Sequence, residues 1–140
     1  MRIEPLKAWH LEEIKMQDAQ EYVSKWITPE VRHQLERQMA FAAVEGDEVL
    51  ACSGIIEMWE GRALVWAMLS GNLGNRFLRV HRAVKKFLDT VSYRRIEAHV
   101  DVGFNNGTRW IELLGFRQEI PCMKGFLPNG GDAAMYVRGV

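Results

Sequence analysis

The stretch that decides the fold runs from Arg62 to Phe116. It opens with Arg62-Ala63-Leu64-Val65-Trp66-Ala67-Met68-Leu69 and turns through Ser70-Gly71-Asn72-Leu73-Gly74-Asn75. It resumes as Arg95-Ile96-Glu97-Ala98-His99-Val100-Asp101-Val102 and closes on Arg109-Trp110-Ile111-Glu112-Leu113-Leu114-Gly115-Phe116. Ala63 to Leu69 is apolar throughout, which predicts a strand covered on both faces. After the turn, Phe77, Val80, Val84, Phe87, Leu88 and Val91 recur at three- and four-residue steps. Arg76, Arg79, Arg82, Lys85 and Lys86 take the opposite side, so the segment reads as an amphipathic helix with a solvated basic face. Ile96, Ala98, Val100 and Val102 then alternate with Arg95, Glu97, His99 and Asp101, the period of a strand. A right-handed crossover through the helix makes the two strands parallel neighbours. The two glycines sit where the first strand hands over to the helix, so that turn is the place where main-chain N–H groups and a helix dipole are available to an anion.

Working outward, residues 2 to 6 read as a short strand ending near Pro5, and Leu11, Ile14, Tyr22 or Val23 and Trp26 form an intermittent helical stripe. Thr28-Pro29-Glu30 is a helix start with a hydroxyl cap, a proline that loses no bond and a carboxylate in the first turn. Val31, Leu35 and Met39 supply the buried face of that second helix. Residues 40–45 and 48–58 flank Gly46-Asp47, a hairpin signal, and Trp59-Glu60-Gly61 is the next turn. Strands two, three and four therefore form an antiparallel meander. Asn105-Asn106-Gly107-Thr108 reads as a cap before a short helix over Arg109 to Leu114 that stops at Gly115. Two last strands, at 116–123 and 133–138, are joined by the loop from Gly125 to Asp132. His10, His33 and His81 read as helix-surface histidines.

The 140 residues, 48% hydrophobic and 26% charged, suit one compact domain over 1–140 that buries its own core. Lys plus Arg and Asp plus Glu both number 18, a neutral balance that argues against nucleic-acid binding by general phosphate attraction. Cys52 and Cys122 lie in apolar runs without metal-ligand spacing, so they read as free buried thiols and no metal is expected. No apolar run approaches the length of a membrane span, and a soluble cytoplasmic protein is expected.

The order of elements resembles the GNAT superfamily of N-acetyltransferases over essentially the whole chain. The resemblance is most specific at Asn105 to Phe116, similar to that superfamily's fourth-helix motif ending in Leu-Gly-Phe. The segment Arg109 to Phe116, with His81-Arg82 in the preceding helix, is also similar to a small acetyltransferase-like family encoded by bacteriophages, some of whose members are internal virion proteins. The resemblance implies an α/β (α+β) fold, with an antiparallel meander, a parallel crossover and helices on both faces of a mixed sheet. It implies that strands four and five splay to admit the pantetheine arm of acetyl-CoA. The cofactor residues it implies are Ala67, Met68 and Leu69 on strand four, Gly71, Asn72, Gly74, Asn75 and Arg76 in the turn, and Asn105. The superfamily's phosphate-loop pattern is met poorly: with Gly74 as its first glycine, Gly71 replaces the usual Gln or Arg and Arg76 replaces the second small residue.

Two functions from different classes follow. The first is an N-acetyltransferase that passes an acetyl group to a primary amine of a protein or small molecule. Direct attack on a thioester needs a base and a donor to the thioester oxygen. Glu57, at the end of strand three, and Glu97, His99 and Asp101 on strand five are the candidate bases. The tyrosine that many members use as the acid is replaced by Ile111, with Trp110 beside it; Tyr93 and Tyr136 lie elsewhere. The second is a catalytically silent copy of the fold that serves a phage as a virion component or host-protein binder, using its five tryptophans and seven methionines at partner surfaces. C-terminal strands in this fold often pair between subunits, so a homodimer is also among the expected partners.

Overall fold

The computed structural model describes Met1–Val140 as one seven-stranded mixed sheet flanked by helices. The strands are β1 (Arg2–Pro5), β2 (Met39–Glu45), β3 (Glu48–Trp59), β4 (Arg62–Leu69), β5 (Arg95–Asp101), β6 (Arg117–Met123) and β7 (Ala133–Arg138), in sheet order β1-β2-β3-β4-β5-β7-β6. The helices are α1 (Ala8–Glu13), α2 (Pro29–Glu36), α3 (Phe77–Thr90) and α4 (Asn105–Leu113). β2 runs antiparallel to β1 and β3, whereas β4 and β5 are parallel, as the crossover argument requires. No helix is long and apolar enough to cross a membrane.

The chain falls into two compact units. In the first, Met1–Ile56 with Trp66–Thr90, the period-two pattern of β2 sorts its side chains to opposite faces. Ala42 and Val44 join Leu6, Leu11, Ile14, Ile27 and Leu35 in one cluster. Phe41 turns the other way and meets Phe87 of α3 edge-on at 5.1 Å. Val80, Val84 and Leu88 are the buried stripe of α3 at the predicted spacing. Thr28 caps α2 as read, its hydroxyl accepting from the Val31 N–H at 3.3 Å. In the second unit, Glu57–Val65 with Val91–Val140, Ile111, Leu114 and Phe116 are buried, as are Ile96 and Ala98 of β5 and Ala134 and Tyr136 of β7.

Several sequence expectations are corrected. Residues 18–26 form a 3-10 helix with no buried residue rather than part of an α-helical stripe, and Trp26 is exposed. α2 stops at Glu36, so Met39 begins β2 and is exposed instead of extending the helix face. α4 begins at Asn105, so the polar cluster 105–108 is its first turn and not a cap. His10 is buried: its Nδ1 accepts from the Lys7 N–H at 2.9 Å, and its Nε2 lies 2.7 Å from the Glu4 carboxylate. Cys52 is buried, and burial pushes its thiol up to about 12, but Cys122 is exposed, 3.7 Å from an Asp132 carboxylate oxygen.

Candidate functional site

The turn after β4 is held by bonds to β3, to the segment at Lys15 and within itself. Ser70 N–H donates to Leu50 O of β3, Gly71 N–H to Lys15 O, and Asn72 N–H to the Ser70 hydroxyl. A single 3-10 turn, Gly74–Arg76, then runs straight into α3. Gly74 has a φ of +52°, the left-handed region that favours glycine, and a Cβ added there would meet nothing within 4 Å. The N–H groups of Gly74 and Asn75 lie outside this internal network, at the head of a 14-residue helix. Such amides, with the positive end of a dipole behind them, suit an anion. Arg76 is turned away from that task. Its guanidinium bonds both Glu48 carboxylate oxygens, at 2.7 and 3.3 Å, and the Leu73 and Asn72 carbonyls. The same contact holds the Glu48 carboxyl below its ordinary range. Arg76 therefore ties the turn to β3.

Alternation along β4 sends the main-chain groups of odd and even residues to opposite edges. Gly61 O accepts from Arg95 N–H, so the odd residues face the parallel-pairing edge, and Ser70 N–H on Leu50 O puts the even ones toward β3. The β4–β5 ladder pairs Arg62–Leu64 with Arg95–Glu97. At Ala67 and Leu69 the odd edge is met by the chain's own segment ahead of and within the 3-10 helix. Gln20 Nε2 donates to Ala67 O at 2.8 Å, Leu69 N–H donates to Gln20 Oε1 at 3.0 Å, and Gln17 N–H donates to Leu69 O at 3.0 Å. Met68, between them, is buried. No pattern in the sequence marks Gln17 and Gln20 for this role, because side-chain bonds to a distant strand edge have no periodicity. A groove of about 550 Å³ beside this segment is lined by Leu11, Ile14 and Ile27 and by charges of both signs, Glu12, Asp18 and Glu21 with Lys15 and Arg32, of which Arg32 pairs with Glu12 at 3.2 Å.

The second unit carries the candidate bases. Glu97 is buried despite lying on the polar side of β5: Arg62 grips both its oxygens at 2.6 and 2.9 Å, and Arg95 Nε reaches one at 2.6 Å. Arg62 is itself stacked over Trp59, 4.4 Å from the ring centre, and Arg95 continues to Glu119. Hydrogen bonds from Arg62 above all hold the Glu97 carboxyl at about 2, where it is a poor proton acceptor near neutrality. His99, two residues on, is half-buried against the edge of Phe126 at 4.7 Å. Its burial lowers the imidazole pKa, which keeps the ring neutral and able to take a proton at pH 7. The Asp101 carboxylate accepts from Gly103 N–H at 2.8 Å, closing the turn that leads to α4. Glu57 is exposed at the end of β3 and bonds the Tyr93 phenol, whose pKa is raised by burial and by that carboxylate. Asn105 is exposed in the first turn of α4. Ile111 is buried, as is Tyr136 of β7, whose hydroxyl accepts from the Gln118 amide at 3.3 Å.

By sequence the chain matches no family model and no curated protein. By structure it is similar to a GNAT-family acetyltransferase from Bacillus anthracis, with a TM-score of 0.69 and 15% identity over 96% of this chain and 92% of that one. An N-acetyltransferase from Staphylococcus aureus Mu50 gives 0.73 at 13% identity over 99% and 96%. Ard1 from Thermoplasma volcanium gives 0.80 at 12% identity over 99% and 97%. Likeness at such identities speaks to architecture: the seven-stranded mixed sheet with parallel β4 and β5 is the GNAT fold.

Proposed function

We propose that this chain is an acyl-CoA-dependent N-acyltransferase, moving an acetyl group from acetyl-CoA to a primary amine. The observation that carries the reading is the head of α3. There the Gly74 and Asn75 amides stand outside the internal network beside open space, suited to a diphosphate, on a fold shared with acetyltransferases. When bound, acetyl-CoA supplies an activated thioester. The chain's own part is to hold the anion at Gly74 and Asn75 and to take the amine's proton. The base is His99, kept neutral by burial, or, as the alternative, Glu57, exposed near a strand end. Glu97 positions β4 and β5 through its two arginines, and Asp101 shapes the turn after β5.

Calorimetry with acetyl-CoA tests this. Binding is expected, and Gly74→Asp, which places a carboxylate and a strained φ where the diphosphate rests, weakens it at least tenfold through charge repulsion. No binding at millimolar cofactor removes the transferase. In an amine screen His99→Ala is expected to lower kcat by roughly two orders of magnitude, with Glu57→Gln as the alternative site of that loss. Unchanged turnover in both clears them of the role.

A second reading, a silent phage-encoded copy of the fold that binds a virion or host protein, is favoured by Arg76 being committed to Glu48 and by α4 presenting Ile111 where a phenol is usual. Trp59 and Met58, both exposed at the end of β3, are the side chains such a partner covers.

A further inference from the structure

The odd edge of β4 is already paired. Lys15 O accepts from Gly71 N–H at 2.9 Å and Gln17 N–H donates to Leu69 O at 3.0 Å, so Met16 and Ser70 face each other as an antiparallel bridge. The Gln20 amide extends the pairing, bonding Ala67 O and Leu69 N–H as a strand would, and Gln17 Nε2 braces it at 3.0 Å. Gly71 is shaped for this neighbour: a Cβ there would stand 3.3 Å from Gln17 Cα and 3.5 Å from Met16 O.

We infer that Lys15–Gln20 is a resident strap that occupies the β4 edge needed by an extended ligand, and that binding of acyl-CoA displaces it. The inference rests on the acyl-CoA reading. Met16 of the strap and Val23 beyond it pack against the core cluster without being fully buried, and two features make the strap removable. The 3-10 helix that begins within it, at Asp18, has no fully buried residue and lacks a side-chain cap, and such helices are intrinsically weak. The bonds holding it are main-chain and amide bonds that an incoming amide-bearing chain replaces one for one, so exchange costs little in unpaired groups. Apparent affinity then equals the intrinsic affinity reduced by the fraction of molecules with the strap open.

The test uses the full chain in three forms. In the wild type, hydrogen exchange is followed at the Gln17, Leu69 and Gly71 amides with and without acetyl-CoA. The expected result is that Gln17 loses protection on binding while Leu69 keeps it. Gln20→Ala, which removes both side-chain bonds to β4 and the Gln17 brace, is expected to bind acetyl-CoA about tenfold more tightly. Met16→Cys with Ser70→Cys, made with Cys122→Ser, locks the strap. Residues facing each other across a non-hydrogen-bonded antiparallel pair stand about 4.5 Å apart at Cα, within disulfide reach. Oxidation is expected to abolish binding and reduction to restore it. Equal binding by wild type, Gln20→Ala and the oxidised pair, with Gln17 protection unchanged, overturns the strap and leaves the transferase reading intact. Absence of binding in all forms, including Gln20→Ala and the reduced pair, overturns both.

Discussion

Glu97 shows how a single residue can read as catalytic in sequence and act as an anchor in the fold. The alternation of β5 puts it beside His99 and Asp101, but it is 3% exposed and two guanidiniums take its lone pairs. A carboxyl held at about 2 against an ordinary 4.5 contributes stability that is fully present above pH 5 and drains away as pH falls toward 2. Wild-type protein should therefore lose melting temperature steeply over that window. Glu97→Gln should be less stable at pH 7 by about 2 kcal/mol, because Arg62 and Arg95 are left facing a neutral amide. It should also show a flatter acid limb; parallel acid limbs in the two proteins refute the anchor. What the sequence could not show was the pairing, since Arg62 lies 35 positions away and meets Glu97 only once β4 and β5 are in register. His10 reads as a surface residue, and not as the buried one it is, for the same reason. Its spacing is that of a surface position, and only the Glu4 carboxylate of β1 and the Lys7 amide reveal why it is buried.

Elements with strong periodicity were legible, and those defined by tertiary contact were not. α3 and β5 appear where their 3.6 and 2.0 periods place them, whereas residues 18–26 have no stripe long enough to hold an α-helix and settle as a 3-10 segment. Gly54 makes the same point within β3. A glycine in a strand interior is normally a weakness, yet here a Cβ would lie 2.6 Å from Ala40 Cβ, 2.9 Å from Met39 O and 3.0 Å from the Trp66 ring. Two of these neighbours are fixed by the β2–β3 register, so they cannot yield. Gly54→Ala, which strand propensity alone would predict to stabilise, should instead cost about 2 kcal/mol in denaturant unfolding. A neutral or stabilising result would mean that β2 and Trp66 give way readily.

At the scale of the whole molecule the topology was legible because crossover handedness and hairpin turns leave few alternatives. The candidate site was legible only in part: Gly74 could be read from its residue type, but Arg76's turn onto Glu48 and the strap on β4 depend on chain segments 28 and about 50 positions away. The sheet's two outer strands raise the last question. β1 pairs only with β2 and β6 only with β7, and open edges invite copies of the same chain to add on. With a formal net charge of +0 there is no long-range repulsion to keep copies apart, so protection has to be local. β1 is four residues long and ends on Pro5. β6 is longer and exposed over Arg117 to Cys122, but two register shifts break its ladder and Pro121 has no N–H to offer a further strand. A homodimer through the C-terminal strands would have to form across that broken edge. Sedimentation over a concentration series should therefore show a monomer for the wild type and concentration-dependent association for Pro121→Val, which restores the missing donor and adds β propensity. A wild type that already dimerises, with Pro121→Val unchanged, would make the bulged edge an interface rather than a guard.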